Sequence, residues 1–179
     1  TALDAKSQVL AAKDFKPALV WHGDTVNGVA TALKDAKALG LGADHIVNTY
    51  GFDANLPKLV GDAAEGVIGI APTAFYGENA KGMDLIVAAA KKYDPNTPQE
   101  SRTIHTVKAW ANVTIMKNAL EVADKAGKLN GEGIRAAFES FKALDVGFGA
   151  APMTWTATDH RPTSLVNVYQ IKGGKFVKL

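Results

Sequence analysis

The sequence predicts an α/β fold built on a parallel sheet. Two observations carry that expectation. Up to Ile70, helical and strand periods alternate with short loops between them, the order that joins parallel strands through crossover helices. The period then changes at Pro72 and again at Pro152, so the middle third reads as helical and both flanks carry the strands.

Taken in order, Ala2–Lys13 reads as a helix with an inner stripe of Leu3, Ser7, Leu10 and Ala11. Ala18–His22 follows Pro17 as a strand, its unbroken apolar run suggesting burial on both faces. After a turn at Gly23–Thr25, Val26, Val29, Ala30, Leu33 and Lys37 recur at helical spacing until Gly40, a suitable C-terminal stop. His45–Asn48 and Gly66–Ile70 are the next strands. Met83, Ile86, Val87 and Ala90 mark one amphipathic helix, and Asp94–Pro98 is a turn-rich loop. A long helix runs from about Thr103 to Asp124. One of its stripes is Ile104, Val107, Ala111, Ile115, Ala119 and Val122, and the other is Trp110, Val113 and Leu120. Two stripes predict a helix wedged between a sheet and a second helix. Ile134, Ala137, Phe138 and Phe141 define one more helix. Met153–Thr156, Leu165–Ile171 and Lys175–Lys178 read as strands, the last two joined across Gly173-Gly174.

Composition removes several function classes. The chain has 179 residues, 47% hydrophobic and 21% charged, with a net charge of +2. Only Arg102, Arg135 and Arg161 carry guanidinium groups and no basic run is interleaved with aromatics, so no nucleic acid partner is expected. No apolar stretch approaches the roughly 18 residues of a membrane span. The segment at Thr1 lacks the basic and apolar regions of a signal peptide. That leaves the compartment open, because mature exported chains have lost theirs. Without cysteine there are no disulfides, thiolate metal sites or cysteine nucleophiles. His22, His45, His105 and His160 have no metal-like spacing, and Gly131-Glu132-Gly133 lacks the preceding strand of a dinucleotide loop. No cofactor and no catalytic constellation is therefore expected.

Four stretches together resemble one family. They are Leu56-Pro57-Lys58-Leu59-Val60-Gly61-Asp62-Ala63-Ala64-Glu65-Gly66-Val67, Ala32–Leu41 with its helix ending at Gly40, Leu129–Phe138 around Asn130-Gly131-Glu132-Gly133, and Pro152-Met153-Thr154-Trp155. In this order and spacing the chain resembles the type I periplasmic solute-binding proteins of the branched-chain amino acid (Leu/Ile/Val-binding) ABC transporter family, C-terminal half only. The resemblance implies two three-layer α/β lobes joined by three crossovers, here incomplete at the N-terminus. It assigns residues 1–73 and 152–179 to the C-terminal lobe and 74–151 to helical segments of the N-terminal lobe. Crossovers would lie near Ile70–Tyr76 and Gly147–Pro152. With the first strands of both lobes absent, open sheet edges are expected.

The same resemblance implies an extracytoplasmic solute-binding component of an ABC importer and not an enzyme. Its lobes would close on a small carboxylate-bearing solute in the cleft between them. Expected partners are that solute, ABC permease subunits in the membrane and the missing N-terminal half of the same protein. The expected location is periplasmic, or extracellular and membrane-associated. A ligand-sensing regulator or receptor domain on the same fold is the alternative, and an enzyme with its catalytic residues in the missing half is a third.

Ligands of open α/β sheets sit outside the carboxyl ends of the strands, where helix N-termini also point. Two loops meet that condition, His22–Asn27 and Asn48–Asp53. Thr25 and Asn27 either cap the helix beginning at Val26 or contact a solute, and the same alternative holds for Asp24. His22 is either a hydrogen-bonded core histidine or a ligand contact. Tyr50 and Phe52 are placed to stack on or enclose an apolar solute. The family's amino acid binders hold the ligand's ammonium group with a carboxylate from the second loop. Thr49 and Tyr50 stand there in this chain, so Asp24 or Asp53 would have to substitute. On that basis the sequence leans toward a carboxylate-bearing solute with an apolar or aromatic body, with a branched-chain amino acid as the alternative. His105 and Arg102 read as a solvated helix end, and Trp110 and Trp155 as packing.

Overall fold

A computed structural model describes residues 4–179, so Ala2 and Leu3 of the first expected helix lie outside the described residues. The chain forms two compact units, one from the residues up to Ala71 together with Asn167–Leu179, the other Pro72–Val166.

The first unit holds α1 (Lys6–Asp14), β1 (Leu19–His22), α2 (Val26–Ala38), β2 (Asp44–Val47), α3 (Leu56–Val60), β3 (Ile68–Ala71), β4 (Asn167–Lys172) and β5 (Lys175–Lys178). The five strands form one sheet in the order β1-β2-β3-β4-β5. β1, β2 and β3 are parallel, whereas β4 and β5 run antiparallel. Gly173 and Gly174 both take positive φ, the requirement of a two-residue hairpin turn.

Strand alternation sorts the side chains into two faces. Val20, His22, His45, Val47, Gly69, Tyr169 and Ile171 share the face that α1 and α2 cover, with Val29, Leu33, Leu56, Tyr169 and Ile171 buried there. The other face carries Leu19, Trp21, Ile46, Ile68, Ile70, Val168 and Val177, none of them buried. The 18–22 run is therefore not buried on both faces. Among the described residues β1 is an edge strand with helices over one face, and Trp21 stays 55% exposed. In α1 the buried residue is Val9, while Leu10 of the expected inner stripe is exposed.

The Gly61–Glu65 motif turns out to be a clasp. It forms a short 3-10 turn, after which the Gly66 amide donates to the Ile171 carbonyl at 2.9 Å. Glu65 Oε2 accepts the Gly173 amide at 2.8 Å. The most recognisable stretch of the sequence thus locks the β4–β5 hairpin to β3.

The second unit contains α4 (Met83–Tyr93), α5 (Ile104–Lys125) and α6 (Gly131–Ser140). Its core gathers Ala74, Met83, Ile86, Val107, Ala111, Val146 and Phe148. Thr103 caps α5 by accepting the His105 amide, and Asn130 caps α6 by accepting the Gly133 amide. On α5 the first expected stripe is buried at Ile104, Val107, Ala111 and Ala119, but Val122 is exposed and Ala123 takes the inward place. The second stripe, Trp110, Val113 and Leu120, is exposed, so among the described residues this helix is covered on one side only. Arg102 pairs with Asp94 at 3.0 Å, and His105 is exposed.

Residues 152–166 belong by their contacts to this second unit, where the sequence drew a boundary at Pro152. The expected Met153–Thr156 strand is a single antiparallel bridge, Leu144 with Met153. Trp155 seals it, edge-on to Phe138 and Phe141 at 5.2 and 6.1 Å. Those aromatic contacts hold the segment to α6 before the chain re-enters the sheet at Asn167, opposite Ala71.

Candidate functional site

Parallel pairing brings the carboxyl ends of β1 and β2 side by side, His22 opposite Val47. The loops that follow touch. A Cβ on Gly51 would fall 2.9 Å from the Asp24 carbonyl oxygen and closer still to Val29 and Val47, so only glycine lets the two loops approach this far.

In the first loop Asp24 organises its neighbour. Its Oδ1 accepts the Thr25 amide at 2.6 Å and the Thr25 hydroxyl at 3.3 Å. Thr25 occupies the N-cap position of α2, yet its side chain makes no capping bond, and Asn27 makes none either. The Asp24 carboxylate folds over the first turn of α2, where a Cβ on Gly28 would fall 1.9 Å from Oδ2.

A cleft of about 420 Å³ opens beside this loop. Trp21, His22, Asp24, Thr25 and Thr31 line it from β1 and α2, and Asp4 and Gln8 from the α1 side. Among the described residues its lining contains two carboxylates and no lysine or arginine, so its charged side chains favour a positive group. His22 Nε2 and His45 Nδ1 form a hydrogen bond of 2.9 Å. Burial, and then the neighbouring His45, push His22 down to about 4. Burial also lowers His45, partly opposed by Asp44. Burial thus favours the neutral form of both rings.

The second loop is built differently. Asn48 Oδ1 accepts the amides of Tyr50 and Gly51 at 3.1 and 2.8 Å, folding the backbone back on itself. The Thr49 hydroxyl is buried with no hydrogen-bond partner among the described residues. Tyr50 is 58% exposed but does not line the cleft. Phe52, expected at a ligand surface, is fully buried instead. It lies over Gly69, where a Cβ would come within 1.9 Å of its ring, and meets Phe176 edge-on at 4.9 Å. Asp53 is buried too, its Oδ1 accepting the backbone and side-chain N–H of Asn55 at 2.9 Å each. Of the two acids expected to replace the family's carboxylate, only Asp24 reaches the cleft.

The structure thus gathers His22, Asp24 and Thr25 around one cleft, leaves Asn27, Thr49 and Tyr50 out of its lining, and removes Phe52 to the core. Sequence reasoning missed Trp21, Thr31, Gln8 and His45. Thr31 stood one helical turn beyond Asn27 and was findable, whereas His45 required the β1–β2 register. No group of three or more metal-ligating side chains occurs among the described residues, and none of their helices is long and apolar enough to cross a membrane.

Residues 1–175 match the model of a family described as periplasmic binding protein. The chain belongs to the periplasmic binding protein family. Solved structures share its fold. A branched-chain amino acid ABC transporter protein from Thermus thermophilus, with bound valine, aligns at 24% identity with a TM-score of 0.86, over 99% of this chain and 48% of that one. A fatty acid ABC transporter substrate-binding protein from Thermomonospora curvata aligns at 22% and 0.78, over 100% and 46%. A leucine-binding protein from Thermotoga maritima aligns at 16% and 0.76, over 99% and 48%. This periplasmic binding protein chain spans about half the length of those structures. Among curated protein sequences, none matches it.

Proposed function

We propose that this chain is the solute-binding part of an ABC importer, located outside the cytoplasm and presenting its ligand to permease subunits in the membrane. On this reading the two compact units are portions of the two lobes of a longer protein. Its role is binding without chemistry.

The observation that carries the reading is the cleft beside the first loop. Its two acids, with no lysine or arginine among the described residues that line it, make it a poorer seat for a carboxylate than for an ammonium group, which Asp24 and the ring of Trp21 would meet. This moves the ligand class from the simple acid that the sequence favoured to an amino acid with an apolar body. The ligand's carboxylate would be held by residues outside this chain. The solved relatives whose titles name valine and leucine support the choice, and the one that names a fatty acid marks the competing class.

The test is a thermal-shift comparison of the full-length protein with leucine, valine and phenylalanine against their counterparts lacking the amino group. A ligand at a hundredfold over its Kd adds about 2.7 kcal/mol of stability. Stabilisation by an amino acid and not by its deaminated analogue is expected. The reverse pattern would return the assignment to simple acids.

A further inference from the structure

A second pocket of about 280 Å³, open to solvent, lies between α1, α2 and the sheet and shares Ala5, Gln8, His22 and Ala32 with the cleft. Ala5, Val9 and Ala12 form its α1 side, Ala32 and Ala36 belong to α2, and His22 and His45 lie on the sheet. The cavity exists because four alanines face one another where longer side chains would meet. Val9 is the residue α1 buries, so the helix is seated at one point along its length. An apolar cavity of about 150 Å³ already admits benzene, so this one has room for a ring and a substituent.

Its polar content is the imidazole pair and Gln8. The bond between His22 Nε2 and His45 Nδ1 uses one N–H and one lone pair. In either tautomer the outer nitrogens, His22 Nδ1 and His45 Nε2, carry one N–H and one lone pair between them. Burial favours the neutral form of both rings, and among the described residues no Asp, Glu, Lys or Arg lines the pocket. An ion would lose its hydration there without gaining a counter-charge.

We propose that this pocket, which adjoins the solute cleft and shares His22 with it, is a second binding site, for a small neutral aromatic molecule with one hydrogen-bonding group, of the phenol or indole kind. The probe is indole, titrated into the full-length protein while the imidazole ¹H–¹⁵N resonances are followed. Saturable shifts of His45, which lines this pocket and not the cleft, are expected. Ala36→Leu and Ala12→Leu each fill the cavity from one wall and should weaken indole binding about tenfold or more, with melting temperature unchanged or raised. Both residues line this cavity and not the cleft, so an intact amino acid response in these variants separates the two sites. Absence of histidine shifts up to the solubility limit of indole, or shifts indifferent to both substitutions, would overturn the proposal. If the variants fail to fold, wild-type protein still decides: benzoate, a charged ring, must leave the His45 resonances unmoved where indole shifts them, and equal His45 shifts would overturn it.

Discussion

The loops after β1 and β2 occupy equivalent places in the sheet and are put to different uses. The first keeps its polar side chains at the surface, where Asp24 and Thr25 line the cleft. The second turns inward, with Asn48 bonded to its own backbone, Phe52 in the core and Asp53 tied to Asn55. A strand's carboxyl end is thus a permissive position and not a functional assignment. What separates the loops is a hole in the sheet: Gly69 leaves space above β3 that Phe52 fills.

Substitution of Phe52 should break the comparison most visibly. Phe52→Ala is expected to cost about 3–5 kcal/mol, as deletion of a buried aromatic typically does. Chemical denaturation measures it, and a loss below about 1 kcal/mol would mean that the ring does not hold the core.

The imidazole pair provides a pH test of the first loop. The folded pKa of His22, about 4, lies below the unfolded value of 6.5, so between those values the unfolded chain binds more protons. Stability should be complete above pH 6.5 and fall as pH drops toward 4, by roughly 1–2 kcal/mol once solvent screening is allowed for. Denaturation series of wild type and His22→Gln should differ in slope across that window. Equal slopes would show that the pair is solvated in the folded protein.

The clasp is a smaller effect. Glu65→Ala should cost about 0.5–1.5 kcal/mol through loss of the bond to the Gly173 amide. Amide exchange should speed up in β4 and β5 and not in β1. Uniform acceleration would contradict a local role. Tyr50→Ala should be smaller still, within about 0.5 kcal/mol, because the ring is mostly exposed.

Much of the fold was legible because it rests on local period. The α2 and α5 spans, the β4–β5 hairpin and the change of character near Pro72 are all written in spacing and turn residues. The misreadings share a cause, since each depended on what lies across from an element. The apolar β1 run suggested two covered faces, but it sits at a sheet edge. The second stripe on α5 suggested a partner, and none covers it among the described residues. In the site, Asp24 and Thr25 were visible from their place between strand and helix. Phe52 was misplaced because its partner, Gly69, is distant in sequence and known only through the sheet.

On the proposed reading the solute's charged group is met at the first loop, by Asp24. Calorimetric titration of an amino acid that stabilises the full-length protein, into wild type and into Asp24→Asn, tests it most directly. Loss of one charge-assisted contact is worth about 1.5–3 kcal/mol, so the Kd should rise ten- to a hundredfold while the melting temperature stays within a few degrees. An unchanged or tighter Kd in Asp24→Asn would contradict it.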